Sequence, residues 1–311
     1  MILLITGGCG FIGSNFINYI FDTLEVTIVN IDAMYYCADI TNIREDIRAS
    51  PRYTFIHGNL CSIDYRFLQE HNIDHVIHFA AQSHVQNSFN DSITYTYDNV
   101  LGTHTLLEGC RLYGKIKRFI HISTDEVYGE SMLQDSHKTE SSILCPTNPY
   151  AATKAAAELI AQSYYASFKL PIIITRGNNV YGPNQYPEKL IPKFIELLQC
   201  NMPVTIQGDG SNLRSFLHVK DVCTALELVL HQGMIGEIYN IGSDEEYSVH
   251  QVATLLIQLI HPKDDPTTWI DYIQDRPFND KRYYISNIKM KQIGWNMTIS
   301  FQEGIQALIK N

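Results

Sequence analysis

The sequence has no block of basic residues. Its 23 Lys and Arg are outnumbered by 33 Asp and Glu, for a net charge of −10, and without a cationic patch neither nucleic acid nor an anionic membrane surface is an expected partner. It has no CxxC pair. The seven cysteines (Cys9, Cys37, Cys61, Cys110, Cys145, Cys200 and Cys223) are odd in number and widely spaced, which argues against a disulfide framework or a structural zinc site and fits a reducing, cytoplasmic compartment. The 12 histidines include no HExxH-like spacing, so no metal site is expected. No uninterrupted apolar stretch approaches the length needed to cross a bilayer. The first apolar run, ILLIT (2–6), is one strand long and leads straight into glycines, unlike a signal peptide.

What the 311 residues do contain is alternation. Short β-branched runs at 2–6, 26–31, 54–58, 75–81, 118–123 and 171–175 are separated by stretches of helical period at about 11–22, 62–72, 92–113 and 149–168. Continuous apolar strands between helices predict a doubly wound α/β domain with a parallel Rossmann sheet. After Arg176 the loops lengthen and gain Pro, Gly and Asn, as in 177–189 and 208–215. Helices are expected there at about 187–200, 219–231, 249–260 and 301–309, with short strands VTIQ, EIYNIG and WIDYI between them. The expected division is a cofactor domain over 1–177 and a smaller mixed α/β substrate domain over 178–311, with the segment around 214–242 able to return to the main sheet.

The segment ILLITGGCGFIGSNF places Gly7, Gly10 and Gly13 in a GxxGxxG pattern between a strand and a helix. Such glycines allow a tight turn, close approach of a pyrophosphate and close helix–strand packing, while the helix N-terminus faces the phosphates. Asp32 ends the second strand 19 residues after Gly13, as expected for a carboxylate gripping the adenosine ribose hydroxyls. The same charge repels a 2′-phosphate, so NAD is expected rather than NADP.

A second constellation is NPYAATKAAAE (148–158). Pro149 suits a first helical turn with Asn148 or Thr147 as cap, and Tyr150 and Lys154 then share one helix face. A tyrosine is a poor base at neutral pH unless positive charge lowers its pKa from about 10; an ammonium and a nicotinamide ring are the expected sources. A helix-surface Tyr/Lys pair is the plainer reading, but the nucleotide-binding N-terminus and the strand-end Ser123-Thr124 weigh against it.

These features together resemble the extended short-chain dehydrogenase/reductase family, whose members modify nucleotide sugars. TDEVYG (124–129), HFAAQSHVQNS (78–88), NNVYGPNQYPEKLIPKFI (178–195), GDGSNLRSFLHVKDV (208–222) and DRPFNDKRY (275–283) narrow the resemblance to the nucleoside-diphosphate-glucose 4,6-dehydratases. The resemblance implies that Tyr150 takes the proton of the sugar 4-hydroxyl while hydride passes to NAD, with Thr124 hydrogen-bonding the same oxygen. Lys154 is implied to orient the ribose and lower the Tyr150 pKa. Glu126 is the implied base at C5 and protonated Asp125 the implied acid for the departing 6-hydroxyl. An elimination needs one carboxylate and one carboxylic acid, and repulsion with partial burial drives two such pKa values apart.

The resemblance also places Phe11, Ile12, Asn59, Leu60, Ala80 and Ala81 beside the cofactor, and Ser83, His84, Asn179, Lys189, Arg214 and Arg276 on the substrate side, with Gln82 in the same stretch. The two arginines suit a diphosphate. Asn59 stands where an aspartate is usual beside the adenine. The forms RSFLHV and RPFND are similar to the eukaryotic branch, which covers both UDP-glucose and dTDP-glucose enzymes; UDP-glucose is favoured. A homodimer through helices at about 92–113 and 149–168 is implied by resemblance alone. The rivals are an epimerase or decarboxylase on the same scaffold, which lacks the acidic pair, and a silent NAD-binding regulator, expected to lack Tyr150 or Lys154.

Overall fold

The computed structural model describes residues 1–132, 136–275 and 280–310. The predicted apolar runs form β1 (Ile2–Thr6), β2 (Thr27–Asp32), β3 (Tyr53–His57), β4 (His75–His78), β5 (Arg118–Thr124) and β6 (Ile172–Gly177). They are followed by β7 (Asn179–Tyr181), β8 (Val204–Gln207), β9 (Leu213–His218), β10 (Ile238–Ile241), β11 (Glu246–Ser248) and β12 (Ile270–Ile273). One parallel sheet has the order β10-β6-β5-β4-β1-β2-β3.

Successive residues of a strand face opposite sides, and the sequence makes both sides apolar. Leu3, Ile5, Ile28, Ile77, Ile120 and Ile173 pack with Phe16, Ile17 and Ile20 of the helix Phe11–Thr23 and with Leu226 and Val229 of the helix Val219–Gln232. Leu4, Val29, Val76, Phe119 and Ile172 pack on the other side with Leu106, Leu107 and Ala161, from the helices Gly102–Tyr113 and Pro149–Phe168. The strand order reverses between β1 and β4, and ligands of such sheets bind at the carboxyl ends around that point.

A smaller lobe carries a three-stranded sheet β11-β9-β7 and a two-stranded sheet β12-β8 around Tyr181, Phe194, Phe216, Leu256 and Phe301. The segment 208–215, read from its Gly and Asn as a loop, runs into β9 instead. Tertiary pairing overrides the local turn residues there: Leu213, Arg214 and Ser215 pair with Ser248, Tyr247 and Glu246. The stretch expected as one helix over 92–113 is an α-turn at Ser92–Tyr95, a π-helical segment at Thr96–Leu101 and the helix Gly102–Tyr113. The wide turn holds Asp98 and Asn99, and such turns recur at functional sites.

Candidate active site

The glycine turn closes tightly over the end of β1. Gly7 has φ +70°, and a Cβ there would lie 2.6 Å from the Ala80 backbone; a Cβ on Gly13 would lie 2.4 Å from the Gly7 carbonyl. Neither position tolerates a side chain. Asp32 Oδ2 accepts the Cys9 N–H at 2.9 Å and Oδ1 the Met34 N–H at 2.8 Å, so its carboxylate is fixed at the cavity wall. Burial pushes its pKa up while these two amides pull it down.

The turn opens on a cavity of about 250 Å³, and all the expected cofactor residues line it: Gly7, Gly10, Phe11, Ile12, Gly13, Asp32, Asn59, Leu60, Ala80, Ala81, Tyr150 and Lys154. Ser123 Oγ is buried there without a protein partner. A groove bounded by glycines, with a fixed carboxylate and an orphaned hydroxyl, fits a dinucleotide. Asn59 lines the wall but spends its amide on Tyr35 Oη (3.0 Å) and Asp98 Oδ1 (3.3 Å). The acid in this corner is Asp98, which also accepts from Gln82 Nε2 at 2.9 Å. Sequence alone passes over Asp98, because it is brought there by the π-helical turn.

A second cavity of about 760 Å³ adjoins the first through Ser83, Glu188 and Lys189. It is lined by His84, Glu126, Asn148, Asn179, Arg214, Asp280 and Tyr283 among others. Of the expected substrate residues, Ser83, His84, Asn179, Lys189 and Arg214 therefore come together, whereas Arg276 lies outside the described residues. Arg214 Nη2 donates to the Asp280 carbonyl at 2.8 Å, and Lys189 Nζ to the Ser83 carbonyl at 3.1 Å. Asp280 and Tyr283, hydrogen-bonded to each other, are a contribution of the DRPFNDKRY motif that the motif's arginines had obscured.

The candidate reactive residues stand at the end of β5 and on the helix Pro149–Phe168. β5 ends at Thr124, whose hydroxyl caps the short turn Asp125–Tyr128 by accepting the Glu126 N–H at 3.3 Å. Asp125 is 2 % exposed. Burial and the neighbouring Glu126 charge push its pKa up to about 7, with Asn178, Thr124 and Arg214 pulling down. Glu126 is half-buried, reaches the second cavity and is also raised, first by burial. Asp125, by contrast, lines neither cavity.

Burial shapes both members of the Tyr/Lys pair. The Tyr150 phenol is pushed up by the protein's own groups: it is 8 % exposed, and burial and the charges of Glu126 and Asp125 outweigh a hydrogen bond with Thr124. Lys154 shares its helix face, as the spacing predicts, but Nζ donates to the Ile122 carbonyl at 2.6 Å. Burial brings that ammonium down to about 8. The helix carrying both is capped by Asn148, which accepts the Ala151 N–H at 2.8 Å, so Asn148 rather than Thr147 is the cap.

Comparison with known proteins agrees with this geometry. The family model described as GDP-mannose 4,6 dehydratase matches residues 4–308. A trifunctional UDP-glucose 4,6-dehydratase, 3,5-epimerase and reductase of Arabidopsis thaliana is 46% identical over 98% of this chain and 46% of its own length. The chain thus spans about half the length of such plant relatives. A dTDP-D-glucose 4,6-dehydratase of Homo sapiens is 46% identical over 99% of this chain and 89% of its own. The crystal structure of a dTDP-glucose 4,6-dehydratase of Streptomyces venezuelae with NAD and TYD bound superposes with a TM-score of 0.93 at 36% identity, covering 100% of this chain and 96% of that one.

Proposed function

Because the chain belongs to the dehydratase family whose model spans residues 4–308, we propose that it is an NAD-dependent hydro-lyase converting a nucleoside-diphosphate glucose to the 4-keto-6-deoxy sugar. The observation that carries this reading is the adjacent pair Asp125 and Glu126, each with a raised pKa, beside Tyr150. An epimerase or decarboxylase on this scaffold has no use for a second acid and base.

The glycine turn, Asp32 and Lys154 would hold NAD, which would supply a hydride acceptor and later a hydride donor. Tyr150 Oη takes the proton of the sugar 4-hydroxyl, with Thr124 beside it. Since the protein's own groups hold that phenol protonated, Tyr150 gains base strength only when positive charge is added at the site, which confines its chemistry to the loaded enzyme. The 4-ketone then acidifies the C5–H. Glu126 removes that proton, and protonated Asp125 delivers one to the departing 6-hydroxyl, so that water leaves across C5–C6. An acid with a pKa of about 7 is well matched to this exchange at neutral pH. Arg214 and Lys189 supply the positive charge that a diphosphate requires in an acidic protein.

UDP-glucose is proposed narrowly ahead of dTDP-glucose, since relatives named for each sugar are 46% identical to this chain. Side-by-side kinetics with both sugars test this, with the product identified by NMR. A 6-deoxy-4-keto sugar is expected, with the higher kcat/KM for UDP-glucose. A galacto epimer, a pentose or failure to consume either sugar sinks the reading.

The enzyme is proposed to act in the cytoplasm as a homodimer. All seven cysteines are free, and among the described residues no helix is long and apolar enough to cross a membrane. The adjoining helices Gly102–Tyr113 and Pro149–Phe168, joined by the Tyr164–Glu108 hydrogen bond, leave Leu112 53% exposed, Leu159 58% and Phe168 54%. Large apolar side chains left exposed on two adjoining helices suit a helix-to-helix contact with a second copy.

A further inference from the structure

Two asparagines each hold one carboxyl of the acidic pair, and each is locked so that it can only donate. Asn178 Oδ1 accepts the Ser243 N–H at 3.0 Å, leaving Nδ2 to donate to Asp125 Oδ2 at 2.6 Å. Asn148 Oδ1 accepts the Ala151 N–H at 2.8 Å as helix cap, leaving Nδ2 to donate to Glu126 Oε2 at 3.0 Å. Turning either amide over would set an NH₂ group against a backbone N–H and an oxygen against a carboxylate. Both contacts would then be lost in a buried setting.

An oxygen that faces a fixed N–H donor is a poor place for a proton, because the two hydrogens would meet. Resting on the dehydratase reading, we propose that Asn178 and Asn148 are positioning residues that confine the exchangeable protons to Asp125 Oδ1 and Glu126 Oε1. Asp125 Oδ1 is the oxygen beside Thr124 Oγ1, 3.2 Å away. A hydroxyl rotates to suit its neighbour, so Thr124 donates to this oxygen when it is ionised and accepts from it when it is protonated. The acid proton is thereby kept on the side of the hydroxyl that hydrogen-bonds Tyr150. Other groups facing the pair are Arg214 and Lys189, which favour the ionised forms, and Asp280, which opposes them. The phenols of Tyr150 and Tyr283 also feel the Glu126 charge.

The test uses two conservative substitutions in the full chain. Asn178→Asp keeps the shape and the acceptor for Ser243 but replaces the donor to Asp125 with a second acidic oxygen, whose repulsion adds to the loss of the donor. Asn148→Ser keeps a capping oxygen but removes the donor to Glu126. Carboxyl ¹³C NMR titration should place Asp125 in Asn178→Asp, and Glu126 in Asn148→Ser, about one pH unit or more above wild type, a tenfold change in acidity. The sign for activity follows. Asp125 must be protonated, so the alkaline limb of the kcat profile moves to higher pH in Asn178→Asp. Glu126 must be ionised, so the acid limb moves to higher pH in Asn148→Ser. In Asn148→Ser near neutral pH, reduced nicotinamide should accumulate at 340 nm, because oxidation continues while elimination slows. Unmoved titrations, or an equal loss of both steps at every pH, overturn the proposal. Failure of wild type to dehydrate either sugar would bring down the dehydratase reading separately, with the NMR titration still deciding whether the two amides act as donors.

Discussion

At the residue scale the proposed reaction gives Glu126 and Tyr150 different steps, and single substitutions should separate them. Glu126→Gln keeps the shape and the contact with Asn148 but cannot accept a proton from C5. Turnover should fall by about 10²–10⁴-fold, while the first oxidation remains visible as bound reduced nicotinamide. Tyr150→Phe should suppress that absorbance as well, and equal loss of both steps in Glu126→Gln would defeat the division of labour. Thr124, Asp125, Glu126, Tyr150 and Lys154 stand out in the sequence as candidates because each lies inside a short contiguous motif. The protonation states could not. Tyr150 is raised by carboxyls 24 and 25 residues away in the chain, a sum of burial and charge that no motif encodes. The sequence does not separate Asn178 from its neighbour Asn179 for a similar reason: two adjacent asparagines are equivalent until β7 turns one to the cavity and leaves the other on Asp125.

At the scale of elements, the strand–turn–helix at the N-terminus is set by local chemistry. Gly13→Ala forces a methyl to within 2.4 Å of the Gly7 carbonyl, so the helix Phe11–Thr23 must shift away from β1. NAD affinity measured by calorimetry should drop about tenfold or more, roughly 1.4 kcal/mol; unchanged affinity would show that the turn does not hold the pyrophosphate. The helix Pro149–Phe168 was equally legible, from an Asn-Pro start and sustained helix formers. The interruption at Thr96–Leu101 was not. An extra residue in one turn leaves the hydrophobic pattern nearly intact, and its cause is tertiary: Asn99 bonds both Gln82 and Thr153.

At the scale of the molecule, the main sheet and the smaller lobe meet along the line where the two cavities share Ser83, Glu188 and Lys189. The apolar side chains left exposed on the two adjoining helices lie away from both cavities. Leu159→Glu should therefore convert the proposed dimer to monomer in analytical ultracentrifugation; a sedimentation coefficient equal to wild type would remove this face from consideration. A second tie between sheet and catalytic helix is internal. Arg176 at the end of β6 pairs with Glu158 at 2.6 Å with both side chains buried, an arrangement in which loss of one partner strands the other.

The sequence by itself determined the alternation of strands and helices and the glycine turn, and singled out Asp32 and the candidate reactive side chains, because each depends on residues close together in the chain. Only the tertiary structure decided which groups those side chains meet. Placing Asn178 on Asp125, Asn148 on Glu126 and Asp98 beside Asn59 requires strands and helices far apart in sequence to pack at one end of the sheet. Burial there, rather than residue type, makes one carboxyl of an adjacent pair a neutral-pH acid.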